Sequence, residues 1–360
     1  MKKQDQQLLL TISLLIILVT AGAGCSASTG QSPEPDTDQP RSLTVMTHDS
    51  FAVSEELVSR FESEHNAELQ FLEVGDTGTA VNRAVLTKEQ PLADVFYGVD
   101  NTFLSRALEE EIFAVYQSPL LEEIPDSFEL DPQHRALPVD FGDVCLNYQI
   151  AYFEENNLSP PTSLEDLTDP TYKGLLTVQN PASSSPGLAF LMATIGRFGP
   201  EGYLDYWAEL VENEVNVVND WETAYYSDFT QAGGSDPIVV SYASSPPFEV
   251  LFSEEPLEDA PTAAVTADGS CFRQIEFVGI LAGTEKRDLA EAWVDFMLST
   301  DFQEGIPLTM YVFPVNENAE LDPIFLQYLE IPEQTAEVSY QAIAENRESW
   351  VEAWRELVLQ

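Results

Sequence analysis

The chain reads as an α/β protein of two lobes, each built on a doubly wound, mostly parallel sheet, with a ligand cleft between them. From residue 42 onward, short apolar runs alternate with helical patterns, as expected for strand–helix units joined by right-handed crossovers. After a Pro-rich patch the same alternation begins again. Between the two series lies LPVDFGDVCLNY at residues 137–148, rich in β-branched and aromatic residues but interrupted by Gly142. A glycine inside a strand marks a bulge, a bend or a close backbone approach. This segment is therefore read as a strand crossing between lobes, with its flex point near Gly142.

The elements follow in order. Residues 42–47 form a first strand, and Asp49 caps a helix carrying Leu57, Val58 and Phe61. Residues 68–74 are the second strand, with a helix through Val81, Ala84 and Val85 after Asp76-Thr77-Gly78. Residues 94–99 are the third, followed by Asp100-Asn101 and a helix through Leu104 and Leu108. Past the crossing strand, residues 175–179, 215–218 and 237–243 read as strands, with helices at 164–167, at 188–195 and around Tyr225 and Phe229. Residues 274–281 are a strand, 289–298 a helix, and 306–316 read as extended. A last helix near residues 345–357 carries Trp350 and Trp354, one turn apart and suited to core packing.

The charge sets limits on partners. Fifteen basic residues against 62 acidic ones leave a net charge of −47. Nothing here neutralises a row of phosphates, so nucleic acid is excluded as a partner. With 44% hydrophobic and 11% aromatic residues the chain is not a disordered acidic polymer. Its acidity reads as solvation for high salt, where screening removes self-repulsion.

The N-terminus reads as an export signal: Lys2 and Lys3, an apolar run from Leu8 to Val19, then Ala23-Gly24-Cys25. Residues 1–24 would be the signal peptide and Cys25 the lipid-bearing first mature residue. Residues 25–41 would form a flexible tether, holding the body at the outer face of the cell membrane. The lobes are assigned as 42–141 plus 267–317 and as 142–266, with C-terminal helices at 318–360. Cys145 and Cys271 are the two other cysteines of an exported chain, and a disulfide between them is expected.

In open α/β sheets ligands sit beyond the carboxyl ends of the strands. Those ends supply His48, Asp49, Ser50, Asp76 and Asp100 from the first lobe. The second supplies Ser184, Trp221, Tyr225, Tyr242 and Ser245, and the returning segment supplies Tyr311. A carboxylate-rich rim facing aromatic rings and hydroxyls describes a site for a flat organic cation. Any of these Asp residues could equally serve only as a helix cap. The chain carries no Gly-rich phosphate loop, no HExxH and no CxxC. Neither a cofactor nor a metal is called for, and no enzyme motif is present.

The chain resembles the thiamine-binding proteins of ABC importers, within the wider extracytoplasmic solute-binding family. The resemblance is carried by THDSF (47–51), Asp76 with Asn82-Arg83, GVDN (98–101), DFG (140–142), SSPG (184–187), Trp221 with Ala224-Tyr225, SYASSP (241–246) and the segment 306–315. It implies a periplasmic-binding-protein-like fold, and a monomer that closes on thiamine or a thiamine phosphate and delivers it to a permease. Trp221, Tyr242, Asp76 and Ser184 match the family's ligand positions, whereas His48, Tyr311 and Phe248 stand where it commonly has Tyr, Trp and Tyr. Two rivals remain at this stage. Tyr225-Tyr226 is similar to the tyrosine pair of ferric-iron-binding relatives, and a thiaminase-like enzyme would need Cys145 as nucleophile.

Overall fold

The computed structural model describes residues 39–253 and 257–359. The expected signal peptide, the lipid-bearing Cys25 and most of the tether lie outside the described residues. Pro40–Gln360 forms one compact unit. No helix among the described residues is long and apolar enough to cross a membrane.

The chain enters through β1 (Arg41–Thr47), α1 (Glu55–His65), β2 (Ala67–Glu73), α2 (Thr77–Leu86), β3 (Val95–Asp100) and α3 (Leu104–Glu109). The short β4 (Phe113–Ala114) precedes the long β5 (Leu137–Gln149) and α4 (Ile150–Glu155). A second alternation runs β6 (Leu176–Gln179), α5 (Ser185–Phe198), α6 (Tyr203–Glu212), β7 (Asn216–Val218), the single turn α7 (Trp221–Thr223), β8 (Ile238–Tyr242) and α8 (Ser245–Leu251). The chain returns as β9 (Thr262–Val265) and β10 (Phe272–Leu281). It ends in α9 (Arg287–Leu298), α10 (Thr300–Met310), β11 (Phe313–Pro314), α11 (Pro323–Tyr328) and α12 (Tyr340–Val358).

These strands form one sheet in the order β2-β1-β3-β10-β5-β8-β6-β7, with β4 on β10 and with β9 and β11 on β5. Its two ends, β2-β1-β3 and β8-β6-β7, are parallel. Between them β10 and β5 run antiparallel to their neighbours. Side chains alternate between faces, as a pleated strand requires. Leu43 and Val45 of β1 pack with Phe61 and Trp293 on one face, while Met46 packs with Val81 and Leu104 on the other. Helices cover both faces, which is why these strands read as nearly continuous apolar runs.

The sheet is kinked where the cavity forms. Each strand beside β10 carries an extra residue: Gly98 of β3 between the partners of Phe277 and Val278, and Val139 of β5 between the partners of Glu276 and Phe277. Pro138 sits beside the second irregularity, a place where a strand tolerates a missing N–H. Gly142, expected as a flex point, pairs with Gln274 of β10. A Cβ there would stand 2.9 Å from Tyr242 Cδ1 and 3.0 Å from Val312 Cγ1, so the glycine serves close packing.

The segment at 306–316 is not extended throughout: α10 absorbs Pro307 and stops at Tyr311, held at φ 63°. Cys145 in β5 and Cys271, just before β10, form a disulfide across 126 residues of sequence. Both are fully buried. In α12, Trp354 is buried edge-on against Trp207, whereas Trp350 is only partly buried.

Candidate functional site

A cavity of about 270 Å³ opens beyond the ends of β1, β3 and β8. His48 follows β1 directly and is 7% exposed, its ring 5.7 Å from that of Tyr97. It fits only because residue 98 is glycine. At φ +101°, a Cβ on Gly98 would lie 2.3 Å from His48 Cδ2. His48 Nε2 stands 3.4 Å from Glu276 Oε1.

Glu276 belongs to a buried set of acids. Tyr97 Oη donates to Asp140 Oδ2 at 2.6 Å and to Glu276 Oε2 at 3.2 Å. Burial opposes charge on His48, yet Glu276 outweighs it and, with Asp76 and Asp49, holds the imidazole pKa above its ordinary value. Burial likewise opposes the Glu276 carboxylate, but His48, Asp140 and Tyr97 bring its pKa below the usual range. Burial and then the charge on Glu276 push Asp140 far upward. The resulting arrangement sets His48 Nε2 against Glu276, with the Tyr97 hydroxyl between Glu276 and Asp140.

Asp76 joins the two halves of the site. Its backbone is the N-cap of α2, and its side chain accepts from Thr77 N–H at 2.6 Å, Ser185 N–H at 3.2 Å and Trp221 N–H at 3.2 Å. Gly78 makes this approach possible, since its N–H donates to Ser183 O and a Cβ there would meet that oxygen at 2.7 Å. Burial raises the Asp76 pKa despite the bonds from Ser184 and Ser185.

The aromatic wall comes from the second alternation. Asp220 caps the turn that Trp221 opens, and the following residues widen into a π-type turn at Ala224–Asp228. Trp221 is 8% exposed; Nε1 donates to Ser241 Oγ at 3.1 Å, and its ring stacks on Tyr225 at 5.1 Å. Tyr226 meets the Trp221 ring edge-on at 5.3 Å and is half exposed. It shares a hydrogen bond with Tyr311, whose ring leans on Phe248 at 3.9 Å.

Seven of the expected residues meet at the cavity: His48, Asp49, Ser50, Asp76, Trp221, Tyr242 and Tyr311. Four do not line it. Asp100 has no exposed surface, and its carboxylate accepts from Thr102 and Phe103 at the turn after β3. Ser184 is buried as the N-cap of α5. Tyr225 lies behind Trp221 with its hydroxyl on Glu249. Ser245 is turned inward to Ser241 and to Tyr242 N–H. In their places the cavity has Ser185, Tyr226, Glu222, Phe51 and Glu276. Glu276 left a signal in the sequence, because an acid within the apolar run of β10 is rarely buried without a purpose.

Comparison with known proteins places the chain in a family. Residues 90–331 match the model of the bacterial extracellular solute-binding proteins, so the chain belongs to that family. It is 29% identical over 323 residues to the thiamine-binding periplasmic protein of Salmonella typhimurium, covering 88% of this chain and 93% of that one. The thiamine-binding periplasmic protein of Escherichia coli is similar at 29% identity over 324 residues, covering 88% and 93% respectively. Among solved structures, a periplasmic thiamin binding protein superposes with a TM-score of 0.76 at 26% identity, over 91% of this chain and 99% of that one. Iron-bound HitA of Pseudomonas aeruginosa reaches 0.72 at 18% identity, over 88% and 99%, a likeness of fold alone. The fold is that of the two-lobed periplasmic binding proteins.

Proposed function

We propose that this extracellular solute-binding protein captures thiamine, or a thiamine phosphate, outside the cell membrane and hands it to the permease of an ABC importer. The observation that carries this reading is the cavity's composition. Trp221, Tyr226, Tyr242 and Tyr311 bring aromatic rings to a space that also holds the carboxylates of Asp49, Asp76, Glu222 and Glu276. Ring faces attract an organic cation, and carboxylates add charge-assisted hydrogen bonds. About 270 Å³ lies near the lower end for small-molecule pockets, which suits a ligand of two small rings. The two thiamine-binding relatives, each similar over 88% of this chain, support the same ligand.

The lipid anchor on Cys25 and the two-lobe division at 141/142 and 266/267 belong to this proposal. So does closure of the lobes about β5 and β10. Ferric iron is less well supported. Tyr225 and Tyr226 do not converge, and burial pushes the pKa of both phenols up, against the phenolate that iron requires. The enzyme reading needs a free Cys145, which instead is bonded to Cys271.

Calorimetric titration of the purified chain with thiamine and with Fe(III) tests the reading. Saturable thiamine binding at one site per chain is expected. Binding of iron with a visible tyrosinate band, and none of thiamine, would replace it with the iron reading.

A further inference from the structure

The few cations of this acidic chain are not spread evenly. Arg106 of α3 with Arg347 and Arg355 of α12, three of only 15 basic residues, line one hollow of about 190 Å³, closed on its other sides by Asn82 of α2 and by Ala182. This hollow shares no lining residue with the aromatic cavity. It lies where α12, which packs along α6, also meets α3 beside β3.

Arg347 is 8% exposed, with its guanidinium over the Phe103 ring at 5.2 Å. A charge buried that deeply is ordinarily paired. Arg347 donates to Glu348 Oε1 at a long 3.4 Å, and the same oxygen already accepts from Arg106 Nη1 at 3.1 Å. The Glu348 side chain is itself 77% exposed, so water weakens its hold on both. Arg106 Nε is buried and has no hydrogen-bond partner among the described residues. Burial lowers the Arg347 pKa; Glu348 opposes this and the Arg106 charge adds to it, with Asp100 and Glu109 acting less. Arg355 is turned to Glu352 at 2.9 Å. Two guanidiniums rich in N–H donors thus share one oxygen of one solvated carboxylate, and both residues border an open space.

We infer that the hollow between α3 and α12 binds a small inorganic anion of the halide class, held by the guanidinium groups of Arg106 and Arg347. The guanidinium is weakly hydrated and gives up water readily to an acceptor. A monovalent anion satisfies the buried Arg106 Nε–H and offsets the mutual repulsion of the two arginines. Bound there, it ties α3 to α12 and stabilises the folded chain without entering the aromatic cavity. The inference stands independently of the thiamine reading.

Two probes test it on the purified chain. In crystals soaked in sodium bromide, anomalous difference density is expected between Arg106 and Arg347. In solution, sodium chloride is exchanged for sodium gluconate at constant ionic strength. A site with a Kd of about 10 mM, at about 0.3 M chloride, should raise Tm by about 2–4 °C over gluconate. Arg347→Gln should abolish that rise. If Arg347→Gln does not fold, Arg106→Gln, at the less buried of the two positions, should at least halve it. A hollow free of bromide, or a chloride response as large in Arg106→Gln as in the parent, overturns the inference. Bromide density with no chloride effect on Tm marks an adventitious ion only and overturns it likewise.

Discussion

Asp100→Asn removes one charge from the interior while keeping the shape of the side chain. Asp100 Oδ1 accepts from Thr102 N–H at 3.2 Å, Phe103 N–H at 3.1 Å and Thr102 Oγ1 at 2.8 Å. An amide oxygen can accept all three, and the new NH₂ can donate to Thr102 Oγ1, which lies 3.0 Å from Oδ2. Burial pushes the Asp100 pKa up to about 7; the Thr102 hydroxyl opposes this and Glu276 adds to it. A carboxyl raised in this way contributes its full stability below its unfolded pKa and loses it as pH climbs to the folded value. From 3.8 to about 7 the loss is on the order of 4 kcal/mol, most of it falling between pH 5 and 7. Asn does not titrate, and the remaining groups are common to both proteins. Denaturant unfolding of each at pH 5 and pH 8, at constant salt, should therefore show the variant gaining about 2–3 kcal/mol relative to the parent between the two conditions. Thiamine affinity should stay within about twofold, because Asp100 does not reach the cavity. A stability gap that does not change with pH would refute the electrostatic argument. A tenfold loss of affinity would return Asp100 to the site.

Trp221→Ala should cost about 3–5 kcal/mol of stability, because Trp221 packs on Tyr225 and bonds Ser241 as well as lining the cavity. Trp221→Phe keeps a ring and should weaken thiamine about fivefold with a smaller fall in Tm, through a poorer cation–π face; unchanged affinity would assign the residue to packing alone. Gly98→Ala drives a Cβ to within 2.3 Å of His48, so it should lower both Tm and affinity. Gly199→Ala, also at positive φ but with nothing within 4 Å, serves as the comparison, and an equal affinity loss there would defeat the packing argument. Replacing Cys145 and Cys271 together by Ser opens a cross-link across 126 residues and should cost about 4–5 kcal/mol in denaturant unfolding; a loss under 1 kcal/mol would contradict this. X-ray scattering with saturating thiamine should report a smaller radius of gyration if the halves close, and a larger one would count against closure.

The eight main strands were legible before any coordinates, because strands covered on both faces need continuous apolar runs of β-branched and aromatic residues. Seven cavity residues were legible too, since strand order alone says where strand ends gather. Helix α10 was not, because Pro307 reads locally as a breaker, whereas in the fold the helix packs against β11, α9 and β5. Nor could the sequence say whether Tyr225 or Tyr226 faces the cavity. The turn after Trp221 settles that, taking the Tyr225 hydroxyl to Glu249 and leaving Tyr226 at the cavity. Glu276 shows the division most clearly. Its partners His48, Tyr97 and Asp140 lie more than a hundred residues away in sequence and meet it only because β10 is inserted between β3 and β5, with an extra residue on each side. Residue types and their order determine which strands and helices form. Which partners a buried acid finds depends on distances of a few ångströms, and those exist only once the sheet has closed.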